Sequence, residues 1–542
     1  MKFFINSSFN KANSGIEHAQ LKRADLFRLH GEPFKLVFRE WSPRLHYFLS
    51  EVGVSAEETL GMFDYFQEAE DVSDMVLHVG DLDFGYSDIV LTKDEDTDYR
   101  YSVSRASGGF VGRVNLFADT DEERVSSVEL FDAYGNLYRV DHYDFRGFKS
   151  LVQWYTPDNK IGTEVWYTVS GKPVLETFNK FDGTGNYRKM GWRLTDQKTG
   201  AVYSFANIDE LTKHFYNCLN EDYWSDKELN IFVLDRTHLG DWALKELDRP
   251  CYVAFHLHNS HAGDANDVMH SVMNNFYEYG LTNINRYDAI ISATPKQTHD
   301  VQARFAPESK LFTIPVGVNP PEVLAQKPIS MLKRKAHSVL MTCRIAPEKG
   351  VGKVAEAIAI ARKQIPDITL DAFGYIDHRD NDAAKKEIDA AIEKYKLPDG
   401  VINLHDYLDK EGVAREQQSH QVYALMSIME GFNLALMEAQ ANGEVTVTND
   451  VNYGPNDLVV NEENGYIVAY DGIEEMAEKF VELFKDDDKL QEMSDKAYKL
   501  SERFSEENVW QAWQELLDDA KTKSFSYIKD ASQGYGNQEV KK

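Results

Sequence analysis

Two glutamates on one turn and the helix after it are the residues of this sequence best suited to chemistry. Glu430 precedes a glycine-containing turn, and Glu438 follows about two turns into an apolar-rich segment predicted to be helical. Carboxylates accept hydrogen bonds from hydroxyl groups, so this pair could hold a sugar and a ribose, although two glutamates on an amphipathic helix are often only surface residues. Backbone amides at the helix start would attract a diphosphate. Those amides belong to Gly431, Phe432, Asn433 and Leu434.

A second turn, earlier in the sequence, carries two cations. Arg344 and Lys349 lie between a short predicted strand that begins at Leu340 and a predicted helix from Val351 to Gln364. Two cations beside a diphosphate would neutralise the charge that develops on a leaving nucleotide, a role otherwise given to a divalent metal. The alternative is a surface ion pair with Glu348.

The order and spacing of these motifs resemble the C-terminal half of the retaining glycosyltransferases of family 4. The matching features are Arg-x4-Lys at 344–349, a strand near 370–374, and Glu-Gly-Phe-x5-Glu at 430–438. The resemblance implies an α/β protein of GT-B fold, in which two Rossmann-like domains face a cleft. It also implies a hexosyltransferase that transfers an α-hexose from a UDP-sugar with retention of configuration.

The same resemblance implies roles for the site residues. Arg344 and Lys349 would hold the diphosphate as it leaves. Glu430 would contact the sugar hydroxyls near the reacting carbon, and Glu438 would contact the ribose. No cofactor and no metal is expected. The donor is UDP-glucose or UDP-GlcNAc, and no residue of the sequence indicates which of the two is used.

Two positions in the N-terminal half follow from the resemblance as well. Gly15 comes after an opening strand at 3–6, where the family places a glycine-rich loop under the donor phosphates. His256 ends the apolar run 252–255, at a strand end where related enzymes have an active-site histidine, and His258 is the fallback. Packing or hydrogen bonding is the alternative role for such a histidine. The spacing His-x-His-x2-His also suits a metal, but no acidic ligand cluster accompanies it.

Further segments narrow the resemblance to two groups of bacterial enzymes. These segments are residues 13–20, Tyr453-Gly454-Pro455-Asn456-Asp457 and Glu463-Asn464-Gly465-Tyr466. They are similar to the wall teichoic acid α-glycosyltransferases, particularly poly(glycerol-phosphate) α-glucosyltransferase, and nearly as similar to the serine-rich adhesin O-GlcNAc-transferases. We therefore expect transfer to a hydroxyl of a cell-wall teichoic acid polymer. Transfer of GlcNAc or glucose to Ser/Thr of a serine-rich adhesin is the alternative.

Two further functions are compatible with part of this pattern. A non-catalytic partner subunit of such a transferase would bind without reacting, although the four charged motif residues argue against it. A glycogen- or sucrose-synthase-like enzyme would share the donor half but would not explain the β-rich segment inserted in the N-terminal half.

The sequence also departs from the family at Asn433, where glycine is usual, and at Glu444 and Thr446, where proline and valine are expected. Asparagine tolerates unusual backbone angles, so the turn should survive.

Composition favours a large soluble enzyme. The chain has 542 residues, of which 42% are hydrophobic and 12% aromatic, so it can bury more than one core. No long apolar run or signal peptide is recognised, which favours a cytoplasmic location with peripheral membrane association as an option. The three cysteines, Cys218, Cys251 and Cys343, are scattered and predict buried thiols rather than disulfides.

Net charge limits the choice of acceptor. A formal charge of −30 opposes binding to nucleic acid and also opposes approach of a polyphosphate such as teichoic acid. Two short basic runs, Lys22-Arg23 and Lys333-Arg334-Lys335, are the compact candidates for a polyanion groove. A solvated surface is the more common role of such runs.

The pattern of strands and helices predicts an interrupted Rossmann-like domain. From about Met75 to Leu194, short aromatic and β-branched runs alternate with turn signals, which predicts an antiparallel meander. Its exposed face favours a homo-oligomer or pairing with a related subunit. The predicted domains are an N-terminal Rossmann-like domain at 1–70 and 205–320, an insertion at 71–204, a C-terminal Rossmann-like domain at 330–505, a helix at 506–522 that packs back on the first domain, and a flexible tail at 524–542.

Overall fold

The protein is described by a computed structural model that covers residues 1–536. It forms two compact units, one of 1–13 with 33–252 and one of 14–32 with the described residues from 253 onward. This division differs from the predicted domains, which group 205–320 together.

Strands and helices are numbered separately in chain order. The strands are β1 Lys2–Asn6, β2 Phe34–Phe38, β3 Thr59–Gly61, β4 Ile89–Lys93, β5 Arg100–Arg105, β6 Phe110–Leu116, β7 Val125–Phe131, β8 Leu137–Tyr143, β9 Lys149–Tyr155, β10 Ile161–Tyr167, β11 Pro173–Phe181, β12 Tyr187–Thr195, β13 Val202–Phe205, β14 Ile231–Leu234, β15 Tyr252–Leu257, β16 Ala289–Ser292, β17 Lys310–Thr313, β18 Ser338–Thr342, β19 Thr369–Phe373, β20 Ile402–His405, β21 Val422–Leu425, β22 Val445–Asn449 and β23 Gly465–Val468. The α-helices are α1 Gly15–Leu29, α2 Leu45–Ser50, α3 Met62–Phe66, α4 Ile208–Asp222, α5 Glu278–Thr282, α6 Pro295–Phe305, α7 Pro321–Leu324, α8 Val351–Ala361, α9 Arg379–Tyr395, α10 Lys410–Ser419, α11 Leu434–Ala441, α12 Pro455–Leu458, α13 Ile473–Phe484, α14 Asp487–Leu500 and α15 Glu506–Gly536.

A four-stranded parallel sheet begins the first unit. β1 pairs with β2 on one side and with β14 on the other, and β2 pairs with β3. Every residue of β1 is buried, as expected for a parallel strand that is covered on both faces and has a continuous apolar run. The predicted opening strand and second strand are therefore present.

A ten-stranded antiparallel sheet also belongs to the first unit. Its strands follow one another in space in the same order as in the sequence, from β4 to β13. Asp132 and Asp182 stabilise two of its hairpin turns by accepting hydrogen bonds from amides two and four residues on. Gly135 and Gly185 in those turns both have φ of +82°, which a glycine adopts without strain. The predicted antiparallel meander is confirmed.

Two parallel sheets form the second unit. One has three strands in the order β15–β16–β17. The other has six strands in the order β20–β19–β18–β21–β22–β23. The six-stranded sheet carries a large apolar core in which the helices α8, α11, α13 and α14 take part.

The C-terminal helix α15 packs against α1 within the second unit. The ring of Phe27 makes edge-to-face contacts with Trp510 and Trp513, both at 5.4 Å, and His30 stacks on Trp510 at 4.1 Å. Both tryptophans lie within the helix at 506–522 that the sequence predicts to pack back on the first domain. The helix does not end at 522 but continues to Gly536, so the predicted tail is helical over 524–536. Residues 537–542 of that tail lie outside the described residues.

No helix among residues 1–536 is long and apolar enough to span a membrane.

Candidate functional site

The two charged turns predicted from the sequence follow neighbouring strands of the six-stranded sheet. β18 pairs with β19 on one side and with β21 on the other, so the strand order reverses at this point. In parallel α/β sheets, ligands bind beyond the carboxyl ends of the strands at such a reversal. Arg344 and Lys349 follow β18, and Glu430 follows β21. The fold therefore brings together residues that are distant in the sequence.

Lys349 and Glu430 form a direct ion pair. Lys349 Nζ lies 2.6 Å from Glu430 Oε1, and the same oxygen accepts hydrogen bonds from Ser427 Oγ at 2.7 Å and from Asn433 Nδ2 at 3.1 Å. Glu430 is only 7% exposed. Burial by itself lowers the pKa of Lys349, but attraction and hydrogen bonding to Glu430 raise the pKa above its ordinary value. The ammonium group is thus held charged next to the carboxylate.

Arg344 is held by carboxylates rather than by the Glu430 turn. Its guanidinium donates to Asp377 at 3.0 Å and also contacts Glu348. Arg379 donates to the same two carboxylates, and its hydrogen bonds lower the pKa of Asp377 to about 2. The alternative of an ion pair with Glu348 is therefore present, and a diphosphate contact for Arg344 stays a prediction. No sequence signal singled out Asp377 or Arg379.

Asn433 precedes helix α11 and has a left-handed backbone conformation. Its φ is +76°, in the left-handed region that asparagine tolerates better than most residues. The Asn433 side chain accepts a hydrogen bond from Leu436 N at 2.9 Å and so caps the helix, while its amide donates to Glu430. Because the helix begins at Leu434, Glu438 lies about one turn into it, not two as predicted.

Two glycines allow other backbone segments to approach this turn closely. A Cβ on Gly431 would lie 2.1 Å from the carbonyl oxygen of His258, and a Cβ on Gly454 would lie 2.1 Å from that of Phe432. Tyr453 N donates to the Glu430 carbonyl at 2.8 Å. The Tyr453 hydroxyl, in turn, donates to Asp300 at 2.8 Å. The Tyr-Gly-Pro-Asn-Asp segment, which the sequence marks only as a point of resemblance, therefore supports the Glu430 turn.

The two candidate histidines differ in what they contact. His256 lies within β15 rather than at its end, is only 2% exposed, and has Nδ1 at 3.5 Å from the guanidinium of Arg23. His258 follows the strand, and its backbone carbonyl packs on Gly431. The two imidazole rings are 4.0 Å apart. His258 thus touches the Glu430 turn through its backbone, whereas His256 is buried beside Arg23.

The third histidine of this segment is used structurally. The Nε2 of His261 lies 3.2 Å from the Val268 carbonyl, and its ring stacks with Tyr453 at 5.8 Å. Burial lowers the pKa of His261 to about 4. The imidazole is therefore neutral at physiological pH.

Helix α1 brings a lysine to the second glutamate. Gly15 is the first residue of α1, and Ser14 caps the helix through hydrogen bonds to Glu17. A Cβ on Gly15 would meet no atom within 4 Å, which leaves open space beside this helix start. Lys22 Nζ lies 2.9 Å from Glu438 Oε1. The sequence placed Lys22 in a candidate polyanion groove and missed this pairing.

Several cations of the two predicted basic runs contact groups of the protein itself. Arg23 is buried beside His256 and lies over the ring of Trp513. Arg334 is also buried and donates to the backbone carbonyls of Gln417, His420 and Asn442. Lys335 lies within 4 Å of Asp371 and Glu416. These three cations neutralise or bond to groups of the protein itself, whereas Lys333 is exposed, so a polyanion groove at these runs stays a prediction.

The C-terminal half of the chain matches a known family of glycosyl transferases, as its motifs predict. Residues 325–500 match the family model for glycosyl transferases group 1, a span that contains Arg344, Lys349, Glu430 and Glu438. The chain is 25% identical over 95% of its length to the UDP-N-acetylglucosamine--peptide N-acetylglucosaminyltransferase GtfA subunit of Streptococcus parasanguinis, of which 98% is covered. It is 26% identical to the poly(glycerol-phosphate) alpha-glucosyltransferase of Bacillus subtilis (strain 168), over 72% of this chain and 54% of that protein.

Solved structures of other proteins resemble the chain over nearly its whole length. The pneumococcal O-GlcNAc transferase GtfA in complex with UDP and GlcNAc superposes with a TM-score of 0.77 at 22% identity, covering 96% of this chain and 98% of that one. A GtfA/B complex chain superposes with a TM-score of 0.72 at 23% identity, covering 96% and 99%. The predicted α/β GT-B fold is confirmed.

Proposed function

We propose that this hexosyltransferase, whose residues 325–500 form a glycosyl transferases group 1 domain, moves an α-hexose from a UDP-sugar to a hydroxyl of a polymeric acceptor with retention of configuration. The observation that carries the proposal is the ion pair of half-buried Lys349 with buried Glu430 at the reversal of strand order. Because the pair lies where sheets of this kind bind ligands, it is suited to hold a charged leaving group and a sugar together.

The donor diphosphate is held by positive groups on the two turns. Lys349 contributes an ammonium group, and the start of helix α11 contributes backbone amides from Gly431 to Leu434. Arg344 contacts the diphosphate when its guanidinium turns from Glu348 and Asp377. These groups stabilise the charge that grows on UDP as the bond to the sugar breaks, so no metal cofactor is required.

The sugar and the ribose are held by the two carboxylates. Glu430 accepts hydrogen bonds from sugar hydroxyls near the reacting carbon, and Glu438 accepts from the ribose after exchanging its contact with Lys22. His256 or His258 contacts the sugar or the developing positive charge. The acceptor oxygen forms the new bond to the sugar carbon as the bond to UDP breaks. The leaving phosphate takes the acceptor proton, so the products are the glycoside and UDP.

Two acceptor classes follow from the relatives. A teichoic acid polymer is supported by the likeness to the poly(glycerol-phosphate) alpha-glucosyltransferase. A serine-rich protein is supported by the likeness to the GtfA subunits, which extends over nearly the whole of both chains. The net charge of −30 and the internal pairing of several cations of both basic runs favour the protein acceptor over a polyphosphate.

A partner subunit is part of this proposal. The ten-stranded sheet exposes aromatic side chains, including Trp154 at 43% and Phe178 at 47% exposure. Exposed apolar patches of this kind mark interaction sites. We propose that a second copy of this chain or a related subunit pairs through this sheet, and that the protein works in the cytoplasm with UDP-sugars.

The first experiment identifies donor and acceptor together. Purified protein is incubated with UDP-glucose or UDP-GlcNAc and with either poly(glycerol phosphate) or a serine-rich peptide, and UDP release is measured with the mass of the product. Transfer to one acceptor identifies the class and the sugar. Turnover that survives a chelator supports catalysis without a metal. Absence of turnover with every combination would contradict the proposal and favour a non-catalytic subunit.

A second experiment tests the site. Glu430→Gln and Lys349→Ala should each abolish most UDP release, because one removes the carboxylate and the other the cation. Lys353→Ala is the matched control, because Lys353 lies on the adjacent helix α8 and pairs with Asp471 instead. If Lys353→Ala were as inactive as Lys349→Ala, the assigned role of the Lys349–Glu430 pair would be wrong.

A further inference from the structure

Arg344 and Arg379 share the same two carboxylates next to the turn that carries Lys349. Glu348 Oε1 accepts hydrogen bonds from both guanidinium groups, with Arg379 at 2.8 Å. Asp377 Oδ2 also accepts from both, at 3.0 Å from Arg344 and 2.8 Å from Arg379. Two cations and two anions therefore form one network in which each cation contacts both anions.

Backbone hydrogen bonds fix the two carboxylates at the candidate site. Asp377 N donates to the Ile345 carbonyl at 3.0 Å, and Ile345 N donates to the Tyr375 carbonyl at 3.0 Å, so the segment after β19 runs along the segment after β18. Ile428 N donates to the Glu348 carbonyl at 2.9 Å and joins this turn to the segment after β21. The network therefore borders the point where the strand order reverses.

The two arginines are held with different strength. Arg344 makes one contact with each carboxylate, and its side chain is 36% exposed, which leaves room for it to move. Arg379 binds Asp377 through its backbone amide and through two guanidinium nitrogens, and it contacts both oxygens of Glu348. Multiple charge-assisted hydrogen bonds of this kind hold a guanidinium firmly. Arg344 is thus the cation that can leave the network.

The pKa values of the carboxylates show the same difference. Hydrogen bonds from Arg379 contribute most to lowering the pKa of Asp377 to about 2, and the charge of Arg344 contributes less. Burial by itself raises the pKa of Glu348, but hydrogen bonds, including those from Arg379, and the charge of Arg344 lower it below its ordinary value. Both groups are therefore ionised at neutral pH and are stabilised by Arg379.

The departure of Arg344 would otherwise be costly. Asp377 is only 8% exposed, and it lies close to Glu348 because both bind one guanidinium. Two neighbouring carboxylates without a cation would repel each other, and the buried one would lack its compensating charge. Since Arg379 contacts both, one cation stays with the carboxylates when Arg344 turns away.

We propose that Arg379 is a positioning residue for the donor, which neutralises Glu348 and Asp377 and so releases Arg344 to the diphosphate. This inference rests on the proposed function, in which Arg344 contacts the diphosphate of a UDP-sugar. Arg379 acts through Arg344 and not by contact with the donor. It keeps the carboxylates from competing with the donor for the same guanidinium.

The test is calorimetric binding of UDP to the full chain. Arg379→Ala should weaken binding by about fivefold, because Arg344 becomes the single guanidinium shared by the two carboxylates. Arg379→Lys keeps the positive charge and should retain most of the affinity. Lys385→Ala is the matched control, because Lys385 lies on the same helix α9 and pairs with Asp389. Thermal melting verifies that each variant is folded.

Two double variants separate release of Arg344 from other roles. Arg379→Ala with Glu348→Gln should regain wild-type affinity, because one competing charge is gone. Arg379→Ala with Glu356→Gln removes the same charge from a carboxylate that pairs with Lys394, and it should regain nothing. In an Arg344→Ala background, Arg379→Ala should cause no further loss.

Each result has a defined meaning. Weaker binding in Arg379→Ala that is restored by Glu348→Gln, but not by Glu356→Gln, supports the inference. Unchanged binding in Arg379→Ala, a loss that Glu348→Gln does not restore, or an equal loss in the Arg344→Ala background overturns it, and the last result would mean direct contact with UDP. The expected pattern in a protein that transfers no sugar keeps this role and removes the transfer reaction alone. Absence of UDP binding in the wild-type protein overturns both.

Discussion

Glu444 offers a test of the structure that needs no substrate. It lies between helix α11 and strand β22, is fully buried, and has both carboxylate oxygens without a hydrogen-bond partner among residues 1–536. Burial raises the pKa of Glu444 well above its ordinary value of 4.5, with Arg334 opposing the rise and Glu416 adding to it. The carboxyl is therefore protonated in the folded protein at a pH where it is ionised in the unfolded chain.

The sign of the pH effect follows from this difference. The folded state binds the proton more tightly than the unfolded state, so the free energy of unfolding falls as the pH rises above 4.5. Each pH unit costs about 1.4 kcal/mol until the folded pKa is reached. Between pH 4.5 and pH 7 the loss is at most about 3 kcal/mol.

Glu444→Gln should remove that dependence. The glutamine has nearly the same shape but no proton to lose, so the variant should gain stability over wild-type protein as the pH rises from 5 to 7. Its amide also lacks partners, but that penalty is the same at every pH, so the change with pH is the informative quantity. Urea unfolding at pH 5, 6 and 7 measures it, and Glu478→Gln, an exposed carboxylate on helix α13, is the control. A difference between Glu444→Gln and wild-type protein that is constant over this range would refute the reasoning.

Three other predictions concern the site. Gly431→Ala should reduce UDP release by about 100-fold, because its Cβ would lie 2.1 Å from a backbone carbonyl and displace the turn; unchanged kinetics would contradict the close approach. Tyr453→Phe should lower the free energy of unfolding by about 1–2 kcal/mol, because the hydroxyl donates to Asp300 at 2.8 Å; unchanged urea unfolding would exclude this contribution. The pKa of Lys349 is raised in the folded state, so the stabilisation from its pair is present below about pH 10.4 and is lost as the pH rises through the folded pKa. Thermal melting from pH 9 to 12 should therefore fall more steeply for wild-type protein than for Glu430→Gln, and parallel curves would count against the pair.

Local motifs were predictable from the sequence because their signals are local. The strand, turn and helix around Lys349 follow from an apolar run, a Pro-Glu-Lys-Gly turn and a helical apolar period, and helix α8 begins at the predicted Val351. The meander was predictable for the same reason, since each hairpin carries its own turn residues. Asn433 was also interpreted correctly, because a left-handed position tolerates few residue types.

Partnerships across the chain were not predictable in the same way. Lys349 and Glu430 are 81 residues apart, and only the adjacency of β18 and β21 brings them together. Lys22 was assigned to a surface run because nothing near it in the sequence indicates Glu438. The contact of His256 with Arg23 likewise joins a strand to a helix that is far away in the sequence. Such contacts are properties of the tertiary fold.

The position of the inserted sheet has a consequence for synthesis of the protein on the ribosome. Strand β1 pairs with β2 soon after both are made, but its other neighbour, β14, begins only at Ile231. At about 5–20 residues per second, the first strand waits roughly 10–40 s with one edge unpaired. During this interval the meander can complete its hairpins, since each strand pairs with the one before it. The nascent chain therefore exposes an apolar strand edge until the inserted sheet has been made, and this is the period in which it is most in need of a chaperone.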